Sequence, residues 1–279
     1  MKLSGKVAMV TGCGGERGLG RGIARRLAAD GADLVLTDVA PKGTCVVAAK
    51  PADAWGGLSA VAAEIEGLGR RAITGLLDVR SADQIDDVIA RALEAFGRLD
   101  ILVNNAGVVH RGDIENTSVE LWNEIFETNL RAPFILCQEA VKHMKERRSG
   151  CIINIGSVNA HFGLRKLVAY SASKGGLMIL TKNLANYLTR YRIRVNQINP
   201  GWVLTEGEHY VESVVEGKGE NWLEDALKTR PFGRMLAPED IAQAALFFAT
   251  NELITGAVLD YEQTPVGAPP DLESLETRV

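Results

Sequence analysis

Seven short, almost wholly apolar runs punctuate this chain, and a helical pattern separates most of them from the next. They fall at 6–11, 33–37, 72–77, 99–103, 151–155, 193–198 and 257–261. A strand that is apolar at every position, rather than at alternate ones, is covered on both faces. That is the signature of a parallel sheet between two helical layers. Strand–helix alternation along the whole chain gives an α/β, doubly wound, Rossmann-like fold. Helical patterns lie at 21–29, 52–68, 82–96, 119–146, 168–189 and 238–249. The long one at 119–146 is expected to bend near Pro133, and Pro238 suits a first helical turn. No composition break divides residues 1–263, which read as one domain. Within it, 205–230 is polar and reads as an inserted substrate-side helical lobe. Residues 264–279, with three prolines, read as a surface tail.

A chain of 279 residues with 46% hydrophobic and 24% charged residues buries a full core without disulfides or metal. The net charge of -4 gives no basic face for nucleic acid or an anionic membrane. Lys142, Lys145, Arg147 and Arg148 cluster at the end of a helical pattern, where positive charge is favourable. Cys13, Cys45, Cys137 and Cys151 form no C-x-x-C pair and no zinc spacing, so no metal is expected and the thiols read as reduced. No leader pattern and no apolar run of membrane-spanning length appear. The expected location is cytoplasmic.

Strand 6–11 leads into Gly12-Cys13-Gly14-Gly15-Glu16-Arg17-Gly18-Leu19-Gly20. A strand, a glycine-rich turn and a helix start suit a pyrophosphate: glycines let the backbone approach, and free helix N–H groups face the anion. The strict G-x-G-x-x-G spacing is absent. Asp38 ends the second strand, where an acid accepts hydrogen bonds from the adenosine ribose. It would also repel the 2′-phosphate of NADP. A like charge at about 4 Å and an effective dielectric near 20 costs roughly 4 kcal/mol before screening. NAD is therefore the expected cofactor. Arg17 and Arg21 are the opposing feature, since either can reach such a phosphate.

Tyr170 and Lys174 lie four apart in a helical pattern and so share a face. A free phenol, with a pKa near 10, is too weak a base at neutral pH. An ammonium about 5 Å away favours the phenolate by about 3 kcal/mol, or roughly two pKa units. Such a phenol accepts a proton from an alcohol while hydride leaves its carbon, or returns one in reverse.

Together these motifs resemble those of the short-chain dehydrogenase/reductase superfamily, in its single-domain form of about 250 residues, over residues 3–261. Thr11-Gly12 and Gly18-Leu19-Gly20 resemble its cofactor turn T-G-x-x-x-G-x-G, with two extra residues before Gly18. Asp78-Val79 resembles the pair that holds adenine. Asn104-Asn105-Ala106-Gly107 resembles the N-N-A-G run that lines the cofactor. The resemblance implies Asn129 as the helix-bending residue that holds a relay water, and Ser157 as the residue that orients the substrate oxygen. It implies Tyr170 as acid/base, and Lys174 as its partner on the nicotinamide ribose. It also implies Pro200, Gly201, Val203 and Thr205 around the carboxamide, and pairing of long helices into a homodimer or homotetramer. Two departures stand out: the stretch 41–57 is long, and Asp260-Tyr261-Glu262-Gln263 replaces the usual D-G-G.

In such a fold the loops after Gly107, Ser157 and Gly201 would meet the substrate. They carry His110, Arg111, His161, Arg165, Lys166, Trp202, Glu206, Glu208 and His209. This polar set suits a sugar, polyol or sugar acid better than a steroid or long acyl chain. His161 and Trp202 are the chosen substrate contacts, beside Ser157 and Tyr170. The rival readings are an NADPH-dependent 3-oxoacyl-type ketone reductase and a cofactor-binding redox sensor. A hydrolase is disfavoured, because no G-x-S-x-G elbow is present and no histidine has an evident acid partner.

Overall fold

A computed structural model of the chain describes residues 1–43 and 55–266. Its strands are β1 (Val7–Thr11), β2 (Asp33–Asp38), β3 (Ala72–Leu76), β4 (Ile101–Asn104), β5 (Gly150–Ile155), β6 (Ile193–Pro200) and β7 (Val258–Tyr261). All pair in parallel, in the order β3-β2-β1-β4-β5-β6-β7. The order reverses between β1 and β4, and in open α/β sheets the ligand crevice opens at the carboxyl ends there.

The helices are α1 (Leu19–Ala29), α2 (Leu58–Gly67), α3 (Ala82–Phe96), α4 (Val119–Phe126), α5 (Ala132–Arg147), α6 (Val168–Leu188), α7 (Glu206–Tyr210), α8 (Trp222–Lys228) and α9 (Pro238–Thr250). β1 shows why its sequence is apolar throughout. Ala8 and Val10 face a core built with Ile23, Leu27, Ile65 and Phe248, whereas Val7 and Met9 face one built with Ile85, Leu136 and Leu188. At about 25 cal/mol per Å² of apolar area removed from water, two such layers are the main force holding the sheet.

Three expectations are corrected. The long helix is not continuous: a π-helical turn, Glu127–Arg131, interrupts it just before Pro133. Pro133 sits in the first turn of α5, where its missing N–H goes unneeded. β2 and β6 run further than expected, carrying Asp38 and Asn199 to the edge of the crevice. α2 begins at Leu58; part of its expected earlier start lies outside the described residues, as do Cys45, most of the stretch 41–57 and most of the tail.

Residues 205–230 hold α7, a π turn at Val211–Val215, and α8. Trp222, Ala226 and Met235 form a small core there, against Trp202 and Leu204. No helix among the described residues is long and apolar enough to cross a membrane.

Candidate active site

The glycine turn is locked from β4. Asn105 Nδ2 donates to the carbonyls of Thr11 (2.7 Å) and Gly12 (3.1 Å), while Thr11 Oγ1 accepts from the backbone N–H of Asn105 and Ala106. Gly12 has φ +73°, and a Cβ on Gly20 would lie 2.1 Å from the Gly12 carbonyl oxygen. Only glycine fits either position. Gly18 starts α1 without a side-chain cap, leaving backbone N–H groups for an anion. The inserted glycines have a job of their own. The Gly14 N–H donates to Asp38 Oδ2 (2.8 Å), and its carbonyl accepts from Trp55 Nε1 (2.7 Å). A Cβ on Gly14 would come within 2.4 Å of Gly43 N, so the chain after β2 lies directly on the turn.

Asp38 is 9% exposed. Burial raises its carboxyl pKa, and the N–H groups of Gly14 and Ala40 pull it back. Arg21 is bonded to Glu64 and the Glu16 carbonyl and lies 5.0 Å over the Trp55 ring. Arg17 is exposed and lines a cleft of about 330 Å³ with Gly18, Leu204 and Pro238. Asp78 is gripped by Arg80 Nη2 at 2.7 Å, which holds its carboxyl below the usual range, and Val79 is buried. The crowded glycines, free helix end and strand-end acid fit the adenosine diphosphate half of a dinucleotide.

A ladder of buried polar side chains crosses the other half of the crevice. Asn104 donates to Asn154 (2.8 Å), Asn154 to Thr181 (2.8 Å), Thr181 to Gln197 (3.0 Å), and Gln197 to Asn199 (2.7 Å). Asn199 then donates to Asp260 (2.8 Å) on β7 and accepts from the Ser157 N–H (3.1 Å). Removing one rung would leave its buried partner unsatisfied, at a cost of about 1–3 kcal/mol.

The four expected catalytic residues converge at the ends of β4, β5 and α6. Asn129 lies inside the π turn, 1% exposed. Its amide is fully engaged: Oδ1 accepts from the Val108 N–H (2.9 Å), and Nδ2 donates to the Val108 carbonyl (2.9 Å) and to Ser173 Oγ (3.3 Å). Ser157 hydrogen-bonds the Tyr170 phenol. Lys174 is buried, donates to the Ile155 carbonyl (2.9 Å), and lies 5.7 Å from the Tyr170 ring centroid.

The expected lowering of the phenol is not what this arrangement gives. Burial raises the Tyr170 pKa, the Ser157 bond opposes this, and the charge of Glu208 adds to the rise. Burial also pulls the Lys174 ammonium down to about 8. With a pKa of about 8 the ammonium is still mostly protonated at neutral pH, so it remains a cation beside the phenol. The pair can still hold and pass one proton, and an added positive charge beside it would favour the phenolate.

The expected substrate residues are placed differently from one another. His161 Nε2 lies 2.9 Å from Asp260 Oδ1 and 3.3 Å from Asn199 Nδ2, so a histidine does have an acid partner. No Ser–His relay results, because the described bonds of Ser157 Oγ run to the Asn159 N–H and the Tyr170 phenol. Trp202 packs on Trp222 (6.0 Å between centroids) and donates Nε1–H to Glu208 Oε1 (2.5 Å). Pro200 ends β6. The Gly201 N–H donates to the Tyr261 carbonyl (2.9 Å), Val203 bridges to Leu236, and Thr205 Oγ1 caps α7 by accepting from the Glu208 N–H (3.1 Å). Trp55, Asp260 and Glu212 were not singled out from sequence. Only Asp260 had a signal, in the departure from D-G-G.

The family model for enoyl-(acyl carrier protein) reductase matches residues 12–262. The 2-dehydro-3-deoxy-D-gluconate 5-dehydrogenase of Bacillus subtilis is 36% identical over 259 residues, 92% of this chain and 93% of that one. The 3-oxoacyl-(acyl-carrier-protein) reductase FabG of Thermotoga maritima is 32% identical over 93% of this chain and 97% of its own. The crystal structure of levodione reductase superposes with TM-score 0.82 at 28% identity, covering 94% of this chain and 97% of that one. The chain belongs to the short-chain dehydrogenase/reductase superfamily and is an oxidoreductase that uses a nicotinamide cofactor on a CH–OH or carbonyl group of a small molecule.

Proposed function

We propose that the protein is an NAD-dependent dehydrogenase of a small polar alcohol: a sugar, a polyol or a sugar acid. The observation that carries the chemistry is the contact of Ser157 with the Tyr170 phenol above buried Lys174. Bound nicotinamide supplies the hydride acceptor. Ser157 orients the substrate hydroxyl, Tyr170 accepts its proton as the carbonyl forms, and Lys174 steadies the phenolate. Asn129 holds the Val108 backbone beside the site. Residues 1–263 then act as one dinucleotide-binding and catalytic domain, with 205–230 as its substrate-side lobe and 264–279 as a tail.

Asp38 supports NAD: its carboxylate stands at the end of β2 beside Gly14, and Arg21 is committed to Glu64. Exposed Arg17 and the likeness to FabG favour the second reading, an NADPH-dependent 3-oxoacyl-type reductase. Separate calorimetric titrations with NADH and NADPH decide between them. NADH binding tighter by about tenfold, or 1.4 kcal/mol, is the expected result; tighter NADPH overturns it.

A homodimer or homotetramer fits the groove of about 540 Å³ between the α4–α5 segment and α6, where Phe134 and Ile179 are exposed. Buried free thiols at Cys13, Cys137 and Cys151 support a cytoplasmic setting.

A further inference from the structure

Building on the dehydrogenase reading, we propose that Glu208 selects the substrate. It accepts hydrogen bonds from the hydroxyls of a neutral polyhydroxylated alcohol held beside Tyr170, and it repels congeners that carry a carboxylate.

α7 crosses the crevice from the cofactor turn to the catalytic tyrosine. At its first residue, Glu206 Oε2 lies 3.7 Å from where a Cβ on Gly15 would stand. Two residues on, Glu208 is near enough to Tyr170 for its charge to act on the phenol. Glu208 is held at two points, its backbone by Thr205 and its carboxylate by Trp202. Thr205 Oγ1 accepts from the Glu208 N–H at 3.1 Å, and Trp202 Nε1 donates to Oε1 at 2.5 Å. Oε2 has no hydrogen-bond partner among the described residues. A half-buried acceptor fixed in place with one free oxygen is what a hydroxyl donor needs.

The cations of the lobe are already matched. Arg111 is divided between Glu212 and Glu216, and Lys218 binds Glu212. His209 Nδ1 accepts from Trp222, and its Nε2 faces Glu220. Beyond these pairs Arg17 stands in the cleft with Leu204, on the cofactor-turn side of α7, so a substrate carboxylate beside Glu208 would meet cations that are already matched. Arg165 and Lys166 are the exposed cations on the loop after Ser157, and a substrate acid group would have to reach them.

The test compares alcohols that differ only at the end remote from the reacting carbon, CH₂OH against COO⁻: glucitol with gluconate, and ribitol with ribonate. With NAD⁺, the neutral member is expected to have the higher kcat/KM by at least about tenfold. Glu208→Gln keeps the shape and the Trp202 bond, and it should narrow that ratio by roughly fivefold or more, chiefly through KM. Glu208→Ser serves the same comparison if the glutamine variant does not fold, as judged by NADH binding. A preference for acids in the parent enzyme, or a ratio untouched by either variant, overturns the assignment. Absence of turnover on every alcohol tried would defeat the dehydrogenase reading instead. The same pairs are then titrated against the enzyme–NADH complex, where equal or acid-favouring binding overturns the role of Glu208.

Discussion

The reaction centre and the lobe beside it are built by opposite means. Asn129, Ser157, Tyr170 and Lys174 stand on elements that pack on the sheet, and the amide ladder behind them crosses four strands. The lobe rests on a small core of Trp222, Ala226 and Met235 with Trp202, Leu204, Leu223 and Leu227 packed against it, and on Arg111 and Lys218 pairing with buried Glu212. That core is far smaller than the two layers on the sheet, so the lobe is the more easily opened part. The difference teaches a division of labour. The sheet fixes the proton-transfer geometry, and the lobe is free to vary what is admitted.

Changes in the reaction centre should therefore lower kcat, and changes in the lobe should raise KM. The largest effect is expected from Tyr170→Phe, which removes the proton acceptor but keeps the ring. It should cost roughly a thousandfold or more in kcat with NADH affinity nearly unchanged, read by steady-state kinetics and calorimetry. Asn129→Ala frees the Val108 backbone and should cost about 10–100-fold in kcat with little change in KM. Trp222→Ala empties the lobe core. It should raise KM by about tenfold while the melting temperature of the whole moves by only a few degrees. A large fall in melting temperature would show that lobe and sheet fold as one unit, which breaks the comparison.

A separate effect, on stability and not on turnover, is the dependence of stability on pH. Burial holds Lys174 at about 8 in the folded state, against 10.5 when free. Between those values the unfolded chain binds a proton that the folded chain does not, so this group makes stability rise with pH. Over that window it adds up to about 3 kcal/mol, which Lys174→Met should lack. Chemical denaturation of both proteins at pH values spanning the window measures it.

The parts of this design that sequence reveals are those where one residue's neighbours in the chain determine its surroundings. The doubly apolar strands and α3, with Ser81 capping its start and left-handed Gly97 ending it, are of this kind. The break at 127–131 is not. It is stabilised by the Asn129 amide closing on Val108, twenty-one residues earlier, whereas Pro133 drew attention because proline breaks helices in isolation. His161 and Asp260 are ninety-nine residues apart, and it takes the parallel packing of β5 on β6 and of β6 on β7 to bring them together. The tyrosine–lysine spacing was plain in sequence, yet its electrostatics were not. Burial, invisible in a linear spacing, outweighs the pairwise attraction.

The division between sheet and lobe is tested most directly by a double-mutant cycle of Asn129→Ala with Trp222→Ala, read as kcat/KM on one turned-over alcohol. If the two regions act separately, the double variant should show the product of the single losses, within about 0.5 kcal/mol. A coupling well above that would show that the lobe takes part in the proton-transfer geometry, contradicting the account.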